Sequence, residues 1–374
     1  MNGRKKLNVL FDARHIRDIY SGLARFTYSV LKAFLDSDEF EKIEVLLDKN
    51  HSYDKNPFFI SLYEKNYSNV AFTYINAPLF KLYHHVNVSR YVNKSKCDVY
   101  FYPHFDLPAF VSKKSFFVIH DLFPLVVENY LQKHKYLKKI YFKRIIARNL
   151  FKKNVFPVTV SNSTKNDLER MFKGKIYNKI LVEYENYFDN QIIKRNEVQR
   201  NNHLKLIKKN YLFYIGDRRP HKNLKQMIDI FEILKLKFNY SGNLVIAGGK
   251  KQFDFDLEDY IKEKKFVISL GRVSDEELVS LYKNMDSLFF ISTYEGFGLP
   301  IVEAAKWDKK IITSNSSSCI EIAPGNALKL DIKLDNNKLA SNIYNYLLKD
   351  IKIDNKEYLK KFSWKNYLRL FIDN

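Results

Sequence analysis

Short runs of β-branched and aromatic residues alternate with stretches of helical period along this chain, and the alternation occurs twice. Strands joined through helices must run parallel, and a parallel sheet needs helices over both faces, so the pattern restricts the chain to layered α/β architectures. In the first half Leu7–Phe11, Ile43–Leu47, Asp98–Tyr102, Phe116–Ile119 and Val158–Val160 read as strands. In the second, Tyr211–Ile215, Asn243–Ala247, Phe266–Leu270, Ser287–Ile291 and Lys310–Thr313 do. Leu23–Leu35 and Asp275–Lys283 have helical spacing. Between the halves, Asp189 to Asn210 is rich in Asn, Lys and Arg with little apolar periodicity, as a linker would be. The expected division is a first domain over 1–195, a second over 205–356, and a C-terminal amphipathic helix over 357–374. Tyr358, Phe362, Leu368 and Phe371 give that helix an apolar face that docks on the first domain. Two doubly wound domains place their ligands beyond the carboxyl ends of the strands, so the chemistry should follow the strands.

Composition narrows the partners. Of 374 residues, 46% are hydrophobic, enough for real cores. Apolar runs fall short of the roughly 20 residues of a spanning helix, and Val9–Phe11 is too short for a secretory leader. The chain is therefore expected in the cytoplasm. Two cysteines, Cys97 and Cys319, offer no disulfide framework. Lys and Arg number 63 against 42 Asp and Glu, giving a net charge of +21, which calls for an anionic partner. Nine of these cations lie in Leu131–Lys153 without an acid, interleaved with Leu137, Ile140, Tyr141, Ile145 and Leu150 at helical spacing. A basic amphipathic helix suits an anionic membrane surface, with the apolar side on its own sheet and the lysines toward lipid. Nucleic acid is not expected, because zinc-finger spacing and base-stacking motifs are missing.

The strand Ser287–Ile291 runs into Ser292-Thr-Tyr-Glu-Gly-Phe-Gly-Leu-Pro-Ile-Val-Glu303. Gly296 and Gly298 allow positive φ and close approach of backbone to a ligand, with Phe297 between them. Pro300, after Leu299, fits the first turn of a helix whose free N–H groups suit phosphates and sugar hydroxyls. Glu303 is expected in that first turn, where a carboxylate can take both hydroxyls of a ribose, and Glu295 can hold a hydroxyl of a transferred sugar. The strand Tyr211–Ile215 ends in Gly216-Asp-Arg-Arg-Pro-His-Lys-Asn223, whose Arg218, Arg219 and Lys222 can neutralise a departing diphosphate. In the first half, Ser21-Gly22-Leu-Ala-Arg25 opens a helix, and strands end in Tyr102-Pro-His104 and in His120-Asp-Leu-Phe-Pro124.

In order and spacing, Gly216–Asn223, Gly248, Glu295–Glu303 and Ser314–Ser318 with Glu321 resemble the nucleotide-binding half of retaining glycosyltransferase family 4, the group 1 glycosyltransferases. The resemblance implies the GT-B fold, two Rossmann-like domains facing a deep cleft. It implies a nucleotide-diphospho-sugar held by the second domain, with Glu303 on the ribose, Glu295 near the sugar, and Arg218 and Lys222 on the diphosphate. Gly22, Gly216, Arg219 and the Gly296–Leu299 backbone then belong to the donor site, His120 covers the sugar from the first domain, and Arg25 and His104 lie on the acceptor side. The implied reaction moves a hexose, with GDP-mannose the favoured donor, to a saccharide or lipid-linked acceptor in bacterial surface polysaccharide assembly. It runs on the inner face of the cytoplasmic membrane without cofactor or metal. The chain departs from the family at Ala24, where a glycine is usual, at Asp217, where an arginine is, and at Lys306–Lys310, which has no glycine. Two alternatives remain: a non-catalytic GT-B-like binding protein, and a metal-dependent single-domain transferase using Asp254-Phe-Asp256 or Asp36-Ser-Asp38.

Overall fold

The computed structural model describes residues 5–17, 21–79, 81, 83–127, 135–173, 176–187, 207, 210–249 and 255–373. Most of the expected linker, Asp254, and Leu131–His134 lie outside the described residues. The chain divides into two compact units, Met1–Lys194 with Phe362–Asn374, and Arg195–Lys361.

The first unit is built on β1 (Leu7–Asp12), β2 (Phe40–Asp48), β3 (Val70–Ile75), β4 (Val99–Tyr102), β5 (Lys114–Ile119), β6 (Val155–Thr159) and β7 (Leu181–Val182). They form one parallel sheet in the order β3-β2-β1-β4-β5-β6-β7. The second unit is built on β8 (Tyr211–Ile215), β9 (Asn243–Ala247), β10 (Val267–Gly271), β11 (Ser287–Phe290), β12 (Lys310–Ser314) and β13 (Leu328–Leu330). Its parallel sheet has the order β10-β9-β8-β11-β12-β13. Every residue of the central strands β4 and β11 is buried, which accounts for their unbroken apolar reading. The strand order reverses between β1 and β4 in one unit and between β8 and β11 in the other. At such a switch point the two departing loops diverge and leave room for a ligand.

Helix Gly22–Leu35 starts on Ser21, whose hydroxyl accepts from the Ala24 N–H at 3.0 Å. Helix Asn162–Met171 starts on Ser161 in the same way, at 3.1 Å. Thr164 and Asp167 have the spacing of a capping box, but the earlier serine takes the cap, and Asp167 instead pairs with Arg170. Three strands escape the sequence pattern: β3 is a half-exposed edge, and β7 and β13 are only two and three residues long. The expected C-terminal helix is broken into Lys356–Leu359 and Asn366–Asp373. Ser363 interrupts it, its hydroxyl accepting from Lys365 N–H at 3.3 Å and its carbonyl from Asn366 N–H at 3.0 Å. The second helix packs on the first unit. Phe371 lies 4.7–6.0 Å, centroid to centroid, from Phe34, Phe40, Phe101 and Phe116, and the Tyr367 hydroxyl donates to Glu183 O at 2.8 Å.

The ends of β8 and β9 approach more closely than side chains permit. Gly248 has φ +125°, and a Cβ there would lie 1.9 Å from Gly216 O. Gly22 has open space around it. Gly248→Ala is therefore expected to cost on the order of 3 kcal/mol in urea denaturation of the second unit. Gly22→Ala should leave stability unchanged or raise it by a few tenths of a kcal/mol, about what a helix gains from alanine.

Candidate active site

At the switch point of the second sheet, the loops after β8 and β11 meet. Lys222 Nζ lies 2.6 Å from Glu295 Oε1, with Glu295 buried and Lys222 partly so. The Lys222 ammonium also sits 5.5 Å from the Phe290 ring centroid. Two further bonds tie the loops together: Thr293 N–H and Thr293 Oγ1 donate to His221 O at 2.8 and 3.2 Å. His221 is buried, and its pKa falls to about 3 because burial and the neighbouring Lys222 and Arg219 charges oppose protonation. The imidazole is thus neutral, and the loop's positive charge stays on its Lys and Arg.

The three cations of the β8 loop part company. Arg218 is buried and donates to Ser269 Oγ on β10 at 2.7 Å, with Glu258 as its ion-pair partner. It reaches past β9, away from β11, whereas Lys222 reaches toward the β11 loop. Arg219 pairs with Asp217 at 2.6 Å and stays partly exposed. Arg218 and Lys222, the pair expected on a diphosphate, each hold a carboxylate, Glu258 and Glu295. Arg218 braces the outer strands, and Arg219 stays partly exposed on the same loop as Lys222.

Glu295 is held through its backbone as well. Its carbonyl accepts from Ser317 Oγ at 2.6 Å and Ser318 Oγ at 3.0 Å, and its N–H donates to Ser317 Oγ at 3.3 Å. The serine run after β12 therefore fixes the loop that bears the carboxylate. Gly298, at φ 104°, caps helix Leu299–Lys306, with Pro300 inside its first turn. Glu303 is consequently the fifth helical residue, one position beyond the expected first turn. It accepts from the Tyr282 hydroxyl at 2.6 Å. Gly296, Phe297 and Gly298 are buried, while Leu299 and Glu303 are half-buried.

In the first unit, the switch point holds a buried ion pair that sequence reading overlooked. Arg14 and Asp12 lie 2.7 Å apart with both side chains fully buried. Arg14 also donates to Ala77 O at 2.6 Å, and Tyr100 OH donates to Asp12 at 2.6 Å. Beyond it stands a histidine cluster. His104 Nδ1 lies 2.5 Å from Asp106 Oδ1, Tyr102 OH donates to the same oxygen at 2.8 Å, and His15 Nε2 is 3.2 Å from Tyr102 OH. Burial alone would raise the Asp106 carboxyl, but the hydrogen bond and charge of His104, with His84 and His15, outweigh it and hold the carboxyl far below its usual range. Among the described residues, His15, His104 and Asp106 form the group with ligand atoms near enough, within 4.8 Å, for a metal ion.

His120 follows β5. Its Nδ1 is 2.8 Å from Glu185 Oε1 and its Nε2 is 2.9 Å from Pro103 O. Both partners are acceptors in their usual states, an arrangement that favours the doubly protonated ring. Burial opposes the charge, but the Glu185 hydrogen bond and charge win, and the pKa is raised. Phe26, from the helix that Gly22 opens, stands edge-on to the ring at 4.5 Å. His104 and His120 line one cavity of about 410 Å³. Gly22 is exposed and Arg25 half-buried on the first turn of that helix. Asp121 accepts from Phe123 N–H at 3.0 Å and so serves local structure.

Residues 195–360 match the profile of glycosyl transferases group 1. The match lies within the second unit and covers less than half of the chain. The chain is similar to O-antigen chain mannosyltransferase B of Escherichia coli, 29% identical over 42% of this chain and 43% of the relative. It is also similar to a Campylobacter jejuni N,N'-diacetylbacillosaminyl-diphospho-undecaprenol alpha-1,3-N-acetylgalactosaminyltransferase, 27% identical over 45% of this chain and 46% of the relative. The chain thus matches less than half the length of each. Among solved structures it resembles Anabaena Alr3699/HepE in complex with UDP and glucose, with TM-score 0.65 and 17% identity over 98% of this chain and 100% of that one. Such likeness, with the two parallel sheets, makes the fold GT-B and sets aside the single-domain alternative. Of that alternative's acidic pairs, Asp36 is engaged by Lys32, Lys65 and Tyr67 at the end of its helix.

The contacts that sequence reading missed are those of Asp12, Arg14, Glu185, Tyr282 and Thr293, together with the grip of the serine run on Glu295. All but the serines are single residues in otherwise apolar or irregular stretches, so only their contacts identify them. The His120–Glu185 pair is directly testable. A histidine whose folded pKa is raised lends stability below its unfolded value and loses it as pH rises through the folded value. Glu185→Gln should lower the His120 pKa in an NMR titration and should destabilise more at about pH 6 than at about pH 9.

Proposed function

We propose that the chain transfers a hexose from a nucleotide-diphospho-sugar to a saccharide acceptor with retention at the anomeric carbon, in the assembly of a bacterial surface polysaccharide. The observation that carries this reading is the largely buried Lys222–Glu295 pair, at 2.6 Å, at the switch point of the second unit. A buried lysine–carboxylate contact holds the ammonium ready while it waits for a stronger anion. An arriving diphosphate takes Lys222, assisted by Arg219, and Glu295 turns to hydroxyls of the sugar. The N-terminal turn of helix Leu299–Lys306 and the Gly296–Leu299 backbone offer further N–H donors, and Glu303, steadied by Tyr282, takes the ribose.

The reaction needs charge stabilisation at the leaving diphosphate above all, and Lys222 and Arg219 supply it without a metal. Both ring nitrogens of His120 are engaged, by Glu185 and Pro103 O, which favours a cation there over a proton acceptor. That suits a front-face displacement in which the departing phosphate oxygen takes the acceptor's proton. The acceptor belongs to the first unit, beside His104 and Arg25. The mannosyltransferase relative favours GDP-mannose as donor. The relative named for a diphospho-undecaprenol substrate favours an acceptor on a lipid carrier, and so the cytoplasmic face of a membrane.

Helix Lys135–Leu150 supports that location. Ile145, Ile146 and Leu150 are buried, but Tyr136, Leu137, Ile140 and Tyr141 are 48–73% exposed, so the apolar residues do not form one inward face as expected. Lys143 and Arg144 are exposed beside them. Each cation near anionic lipid contributes on the order of 1 kcal/mol.

Lys222→Ala and Glu295→Ala should each lower sugar transfer by about 100-fold to 1000-fold, while transfer by the unaltered protein should persist in EDTA. Undiminished transfer in either variant would contradict the site. The protein should also sediment with anionic vesicles at low salt and lose that binding when Lys143 and Arg144 are changed to Glu.

A further inference from the structure

The 410 Å³ cavity of the first unit is lined by two unlike sets of residues. Its size falls in the range of about 300–1000 Å³ usual for small-molecule sites. Beyond the carboxyl ends of β4 and β5 it presents His104, Asp106, His120 and Asp121. The rest of the lining is apolar and includes Phe105, Leu122, Leu125, Phe142, Ile145 and Ile146, the last three from helix Lys135–Leu150. A free saccharide has polar groups all round and would leave that apolar lining unused. Tyr141, from the same helix, both lines the cavity and is 55% exposed. From Tyr141 an apolar strip continues over Ile140, Leu137 and Tyr136 along the surface. Lys143 and Arg144 flank the strip, and Leu131–Lys153 has no acid. An exposed apolar strip that leads into a cavity and is bordered by cations matches an amphiphile with an anionic group at its polar end.

We infer that this cavity binds the first segment of the hydrocarbon chain of a phosphate-linked lipid acceptor, with the phosphates beside His120 and the rest of the chain leaving over Tyr141, past Lys143 and Arg144. This deepens the transferase reading and rests on it. The polar residues His104 and Asp106 then face the saccharide that the lipid carries. Apolar area removed from water supplies affinity for the chain, and the cations select against neutral lipids.

A chain-length series of soluble probes tests the inference on the full chain: inorganic diphosphate, then dimethylallyl, geranyl and farnesyl diphosphate, with farnesol as the uncharged member. Because the headgroup is constant, any diphosphate binding in the second unit cancels across the series. Calorimetric affinity should rise with each added isoprene unit, at least about tenfold from inorganic to farnesyl diphosphate, and farnesol should bind more weakly than farnesyl diphosphate. Phe142→Ser should flatten the series and Phe142→Leu should restore most of it, both with unchanged thermal melting, since Phe142 is only half-buried. A series flat in the unaltered protein overturns the inference, as does one unchanged by Phe142→Ser in a folded variant. Nucleoside diphosphate binding, read in the same samples by thermal shift, separates the two readings. If it occurs while the series is flat, the transferase reading stands and the lipid site falls. If it fails while the series rises, the transferase reading falls and the chain-binding cavity remains.

Discussion

A parallel strand releases its chain at the carboxyl end, and where strand order reverses, neighbouring loops leave in opposite directions. Both sheets here reverse once, at β1/β4 and at β8/β11. Each reversal opens a gap that hydrophobic packing does not fill, and in each the chain has placed charge. The second sheet closes its gap with Lys222 and Glu295, the first with Asp12 and Arg14 and the His15–His104–Asp106 group beyond them. Much of the rest of the structure serves to keep those groups in place.

That service is visible in the second unit as a series of backbone clamps. Gly216 and Gly248 let β8 and β9 end against each other with no side chain between them. Thr293 ties the β11 loop to His221, and the serines after β12 grip Glu295 by both its carbonyl and its N–H. Lys222 and Glu295 therefore sit on loops whose backbones are fixed from both sides, and only their side chains are at liberty to exchange partners. In the first unit the corresponding work is done by side chains, as Glu185 and Pro103 O hold His120 and Tyr102 holds Asp106.

What the sequence made legible follows from how local each signal is. Ten strands could be read from their apolar runs, and Tyr211–Ile215 and Asn243–Ala247 match residue for residue. Residues in one loop, such as Glu295 to Glu303, declare themselves by glycine, proline and acid at fixed spacing. Pairing between loops does not. Arg218 and Arg219 are adjacent cations in sequence, and only the side chains around them, Glu258 and Ser269 for one and Asp217 for the other, tell them apart. Glu185 lies 65 positions from His120, with nothing local to reveal the partnership. The helix Lys135–Leu150 is legible as basic and periodic, but its period does not show that Tyr136, Leu137, Ile140 and Tyr141 are exposed while Ile145, Ile146 and Leu150 are buried.

The central claim is that Lys222 exchanges Glu295 for a diphosphate. Calorimetric titration with a nucleoside, its monophosphate and its diphosphate tests it directly, in the unaltered protein and in Lys222→Met. The account predicts that the second phosphate adds at least about tenfold in affinity, and that this increment disappears in Lys222→Met while nucleoside affinity is kept. Equal affinities for monophosphate and diphosphate in the unaltered protein, or an increment that survives Lys222→Met, would contradict it.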